Sequence, residues 1–123
     1  IYHADPKIAT AGAYFFKVAE RLGIADEARR KGKTAGGGKV SMEMMAKSKA
    51  KAIGLTQISE ILSVPEVDLV GPYPGDLQQM TTYTGIVLER TPNTASAEKF
   101  LKFLVSPAVQ ARFKQQGYEA PAR

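Results

Sequence analysis

The sequence predicts an α/β domain built on an open, at least partly parallel sheet. Two observations carry that prediction. Short apolar runs alternate with stretches of helical periodicity over the first two thirds of the chain, which is the signature of strand–helix–strand units. The chain from Thr94 onward reads as helical. The 123 residues, 44% hydrophobic and 24% charged, are enough for one domain with a core of its own.

The elements follow in order. Residues 1–4 read as a strand running into the turn signal Asp5-Pro6. Residues 11–22 read as a helix, with Ala11, Tyr14, Phe15, Val18, Ala19 and Leu22 on its inner face. Thr10 is placed to cap its start and Gly23 its end. Residues 25–31 add a further helical turn, and the glycine-rich stretch 31–39 forms a loop. Residues 40–49 read as a helix with Val40, Met44 and Met45 inward, and Ser48 as a candidate beside them. A buried strand over 52–56, a short helix over 58–63 and strands over 67–70 and 83–88 are expected next. Thr94 or Ser96 caps a helix reaching Val105, with Phe100, Leu101, Phe103 and Leu104 packing. Ser106-Pro107 starts a final helix, which Gly117 ends.

Composition removes several chemistries. There is no cysteine, which excludes disulfides, thiolate metal sites and cysteine nucleophiles. The one histidine, His3, excludes zinc sites that need several His ligands, and its place at a strand start favours a structural role. No apolar run approaches the roughly 18 residues of a membrane span. The scattered Asp68, Asp76, Glu60 and Glu66 read as surface or capping residues, so no catalytic pair is assigned and no enzyme is expected. The chain begins at Ile1 and not at Met, which reads as a processed or truncated start.

Charge is local. The formal net charge is +5, and residues 29–51 hold eight basic groups and one acid. A solvated face is the ordinary reading of such a block. The alternative is a stand-alone basic domain that binds nucleic acid or another polyanion through it. No aromatic residue interleaves the block to stack bases. The stretch KGKTAGGGK resembles a nucleotide loop but fails in both registers. Glu27 stands where the first glycine before Gly32-Lys33-Thr34 belongs, and Val40 follows Gly38-Lys39. Two helix starts remain of interest, one after Ile8-Ala9-Thr10-Ala11-Gly12 and one after Gly36-Gly37-Gly38-Lys39-Val40. Unpaired backbone N–H groups there suit an anion.

An ordered set of segments resembles the second lobe of periplasmic solute-binding proteins of the molybdate-binding type. The set comprises Asp5-Pro6, Thr10-Ala11-Gly12-Ala13-Tyr14, Glu20-Arg21-Leu22-Gly23-Ile24, Ala52-Ile53-Gly54-Leu55-Thr56-Gln57 and Leu69-Val70-Gly71-Pro72-Tyr73-Pro74. It continues through Tyr83-Thr84-Gly85-Ile86-Val87, Ser106-Pro107 and Gly117-Tyr118. The resemblance implies a three-layer lobe of the type II periplasmic-binding fold. Residues 1–82 would form the ligand-binding lobe, and residues 83–123 the hinge strand and C-terminal helices that return to a first lobe. The N-terminal part of that first lobe, with its ligand-binding serines, has no counterpart here.

The same resemblance implies a small oxyanion, molybdate-like, held between two lobes by backbone amides and hydroxyls without a cofactor. Carried over by position, the ligand-binding residues are Thr10, Ala11, Gly12, Lys39, Val40 and Gln57. Gln57 stands where molybdate binders of this group place a tyrosine. The implied setting is the periplasm, and the implied partner an ABC permease in the inner membrane, with no nucleic acid. Residues 79–84 are the hinge candidate. Without a first lobe, the apolar faces of the C-terminal helices are expected to pair with a second copy, by a homodimer or a domain swap.

Overall fold

The computed structural model describes residues 1–120 and divides into two compact units, Ile1–Leu77 and Gln78–Arg123. The first unit holds β1 (Tyr2–His3), α1 (Thr10–Arg21), α2 (Ala25–Lys31), α3 (Gly38–Ala46), β2 (Gly54–Leu55), α4 (Ile58–Leu62) and a 3₁₀ turn at Gly75–Leu77. The second holds α5 (Thr94–Leu104) and α6 (Pro107–Gln115).

β1 and β2 pair in parallel, Tyr2 opposite Gly54 and His3 opposite Leu55. Lys33 joins the other edge of β1 through a parallel bridge to Tyr2. The backbone bonds are Tyr2 N–H to Ile53 O at 2.8 Å, Lys33 N–H to Ile1 O at 2.8 Å and His3 N–H to Lys33 O at 3.0 Å. Parallel neighbours require helical crossovers, and α1–α2 and α3 supply them.

Alternation along β1 builds two small cores. Tyr2 points into a cluster with Met42 and Val64, ringed by Met44, Met45 and Ile61. Its partner Gly54 lies on the same side, where an added Cβ would meet Met42 Sδ at 2.4 Å. On the opposite side Phe15, Ala19 and Ala28 pack together, with Phe16 and Leu55 against them. His3 faces this second cluster, its ring centroid 5.4 Å from that of Phe15 and 5.1 Å from that of Phe16.

Several expectations are corrected. Residues 67–70 and 83–88 form no strand, because strand identity requires a hydrogen-bonded neighbour and neither stretch has a ladder partner among the described residues. The sheet is therefore two strands wide, narrower than the alternation of segments predicts. The N-cap of α1 is Ala9 and not Thr10, and that of α5 is Asn93; neither helix has a side-chain cap bond. On α3 the buried positions are Gly38, Ser41 and Met42, so Val40, at 48% exposure, faces outward. Leu22 is 54% exposed, since the helix turns off at Gly23, whose φ of 70° is open to glycine.

In the second unit Ser106 is the N-cap and Pro107 the first residue of α6, as the dipeptide predicts. The α6 end closes through Tyr118 N–H to Phe113 O at 3.0 Å, with Gly117 at φ 80°. Gln110 Nε2 donates to Leu104 O at 2.8 Å and ties α6 to the end of α5. Neither helix buries a residue fully, and Phe100 and Phe103 are each 58% exposed.

Candidate functional site

Each extended segment of the first unit runs in parallel, so their carboxyl ends lie on one edge. Helices begin just beyond that edge: α1 after β1, α3 after the Lys33 segment and α4 after β2. In open α/β sheets this edge is where ligands bind. The loops leaving it touch one another. Asp5 N–H donates to Gly36 O at 2.7 Å, so the loop before α3 lies across the end of β1.

The sequence-derived residues fall on this edge. Thr10, Ala11 and Gly12 are the first three residues of α1, and Lys39 and Val40 are the second and third of α3. Gln57 is the N-cap of α4. The first intrahelical donor of α1 is Ala13 N–H to Ala9 O, and that of α3 is Ser41 N–H to Gly37 O. The three amides ahead of each are the ones a helix leaves without an internal acceptor. Neither helix has a side-chain cap bond, and neither has an acid in its first turn. The positive end of each dipole is thus uncompensated from within its own helix.

Gly12 owes its place to packing. It is buried, and an added Cβ would sit 2.1 Å from Ala4 O. Only a glycine lets α1 start this close to β1. The side chain of Lys39 turns along its own helix to Glu43 at 3.5 Å, so Lys39 brings its amide to the edge and spends its charge elsewhere.

Two residues outside the predicted set stand beside the α3 start. Thr56 Oγ1 donates to Glu60 Oε2 across one turn. Both atoms lie against Gly38, whose added Cβ would be 1.9 Å from Thr56 Oγ1 and 2.1 Å from Glu60 Oε2. Glu60, expected as a plain surface or capping acid, is half-buried at this junction. The signal available in the sequence was a Thr and a Glu four apart directly after a strand. Its partner Gly38 lies some 20 residues earlier, which periodicity does not connect.

His3 is the last residue of β1. It is buried, with Nδ1 2.8 Å from Ala4 O, and acts in the core. Shallow clefts lie near the C-terminal half of α3, lined by residues such as Met45, Ala46, Lys47, Val64 and Glu66. Within the basic block, Arg29 pairs with Glu20 at 3.0 Å and Asp26 at 3.1 Å, and Lys31 with Glu27 at 2.5 Å. The hydrogen bond and charge of Lys31 hold the Glu27 carboxyl below its ordinary pKa. Three of the eight cations, counting Lys39, are thereby matched with acids. Among the described residues no cluster of three or more His, Cys, Asp or Glu side chains could hold a metal ion. No helix among them is long and apolar enough to cross a membrane.

Parallel strands with helix starts gathered at their carboxyl edge are an α/β arrangement. A family model described as bacterial extracellular solute-binding protein matches residues 1–119, and the chain belongs to that family. The chain is also similar to an aconitate isomerase from a Pseudomonas species, at 31% identity over 65 residues. That stretch is 53% of this chain and 25% of the isomerase, so the matched part spans about a quarter of that relative's length. No solved structure matches significantly.

Proposed function

We propose that this chain takes part in capturing a small anion for import, as part of the periplasmic receptor of an ABC transporter. The observation that carries the reading is the pair of helix starts at one sheet edge. Thr10, Ala11 and Gly12 of α1 and Lys39 and Val40 of α3 offer amides with no acceptor inside their own helices. Gln57 stands at the N-cap of α4, the helix that starts beyond the same edge. Neutral N–H donors and helix dipoles hold an anion without a full counter-charge. Membership of a solute-binding family supports binding as the role, and no cofactor enters the reading. The partly similar relative is named for aconitate, an organic anion, which accords with an anionic solute and widens the class from tetrahedral oxyanions to carboxylates.

In this reading residues 1–82 form the binding lobe, the second lobe of the receptor, and residues 83–123 return to a first lobe that closes over the solute. The permease in the inner membrane receives the loaded receptor. The lack of any aromatic residue within the 29–51 block weighs against its serving as a base-stacking nucleic-acid surface.

The test is titration calorimetry of the full chain with molybdate, phosphate, sulfate, malate and succinate, alongside thermal unfolding. Saturable binding of at least one anion is expected. At 100 times its Kd such an anion adds about 2.7 kcal/mol to stability. No heat and no rise in Tm with any of the five at millimolar concentration would overturn the reading.

A further inference from the structure

The side chains beside the α3 start are wrong for a fully deprotonated oxyanion. Thr56 has one hydroxyl hydrogen, and it is donated to Glu60 Oε2. What the pair then has left to offer is acceptors alone, the lone pairs of Thr56 Oγ1 and the carboxylate oxygens of Glu60. The pair sits against Gly38, the first residue of α3, in space that a single added methyl group would fill. A ligand reaching the amides of Lys39 and Val40 therefore approaches a carboxylate as well.

Among the described residues no basic side chain forms an ion pair with that carboxylate. The ion pairs among them are Arg21–Asp76, Arg29–Glu20, Arg29–Asp26, Lys31–Glu27 and Lys39–Glu43. Lys39, the basic residue next to Gly38 in the chain, is turned to Glu43. An oxygen that carries only lone pairs would face the Glu60 oxygens with nothing between them. An oxygen that carries a hydrogen would donate it to Glu60 in a charge-assisted bond.

Resting on the anion-binding reading above, we propose that Glu60, oriented by Thr56, makes the site selective for anions that carry a hydroxyl. The class comprises protonated oxyanions and hydroxy acids. Bare tetrahedral dianions are rejected. The backbone amides of α1 and α3 supply attraction for any anion, and the Thr56–Glu60 pair supplies the discrimination. Repulsion of the wrong ligand is what makes such a site specific.

The experiment compares two pairs of anions on the full chain at pH 7 by titration calorimetry. Phosphate and sulfate are close in size, and phosphate keeps an O–H at this pH while sulfate does not. Malate and succinate differ by one hydroxyl. In the wild-type chain the hydroxylated member of at least one pair binds about tenfold or more tighter than its partner, the scale of a lost hydrogen bond to a charged group. Glu60→Gln offers an N–H₂ donor in the same shape and narrows that gap to within about threefold, mainly by admitting sulfate or succinate. Thr56→Ser keeps the hydroxyl and the wild-type gap, and circular dichroism confirms that each variant folds.

Sulfate and succinate both binding the wild-type chain as tightly as their hydroxylated partners would overturn the proposal and leave the anion reading standing. A preference unchanged in folded Glu60→Gln would also overturn it. Binding of none of the four, with molybdate silent too, would remove the anion reading itself.

Discussion

Replacing Gly12 with alanine tests whether the α1 start is held against β1 as closely as the geometry requires. The new Cβ would lie 2.1 Å from Ala4 O, 2.8 Å from Ala4 C and 2.9 Å from Asp5 C. All three are backbone atoms, so no rotamer change relieves the contact. Real Cβ contacts essentially never fall below 3.0 Å, so α1 or β1 must move by about 1 Å. β1 is poorly placed to yield. His3 N–H is bonded to Lys33 O at 3.0 Å, and Asp5 N–H to Gly36 O at 2.7 Å. On the other side α1 is anchored by Phe15, Val18 and Ala19, all buried.

Overpacking of this kind costs about 3 kcal/mol, and the better helix propensity of alanine returns about 1, leaving about 2 kcal/mol of destabilisation. With a urea slope of about 2 kcal/mol/M, the unfolding midpoint falls by about 1 M. Urea titration followed by far-UV circular dichroism reads this directly. An unchanged or raised midpoint would refute the close approach, and with it the placement of the Thr10–Ala11–Gly12 amides at the sheet edge. Anion affinity measured on the same variant should fall as well, because the displaced helix start carries three of the proposed donors.

Two further outcomes follow from contacts within the first unit. Burial first, and the neighbouring Tyr14 second, push the Tyr73 phenol up to about 12. Absorbance near 295 nm through an alkaline titration should show a step near pH 12, and Tyr73→Phe should remove that step. The unfolded phenol ionises near 10, so the folded state favours the neutral form. The contribution to stability is complete below about pH 10 and is lost as pH rises through about 12. Arg29 bridges Glu20 and Asp26 and lies 5.6 Å from the Phe16 ring centroid, joining α1 to α2. Arg29→Ala should destabilise by about 1 kcal/mol, with part of that loss recovered at high salt. A loss wholly insensitive to salt would assign it to the ring contact alone.

The elements that were legible in the sequence are those whose causes are local. α1 shows in the spacing of Phe15, Val18 and Ala19, and its end in Gly23, which takes the positive φ expected of a residue past a helix. α6 shows in Ser106-Pro107, because the preset φ of a proline at the first helical position acts locally. The α3 face was misjudged because Met42, Met44 and Met45 are all apolar, and only contact with Tyr2 and Val64 selects Met42 for full burial. Residues 83–88 have strand-like composition, but a strand is a relation between two segments, and composition names only one of them.

The candidate site divides in the same way. That helix starts follow small residues at Thr10–Gly12 and at Gly36–Val40 is a property of the chain alone, fixed by glycine placement and backbone valence. That the two starts share one edge depends on β1, β2 and Lys33 running in parallel, which long-range backbone bonds decide. That Glu60 stands at Gly38 depends on the packing of α3 against α4 beyond the end of β2. Local preference acts over a few residues, through torsions and caps. The meeting of a carboxylate with a helix start 22 positions away is settled only when the whole unit has closed around its two cores.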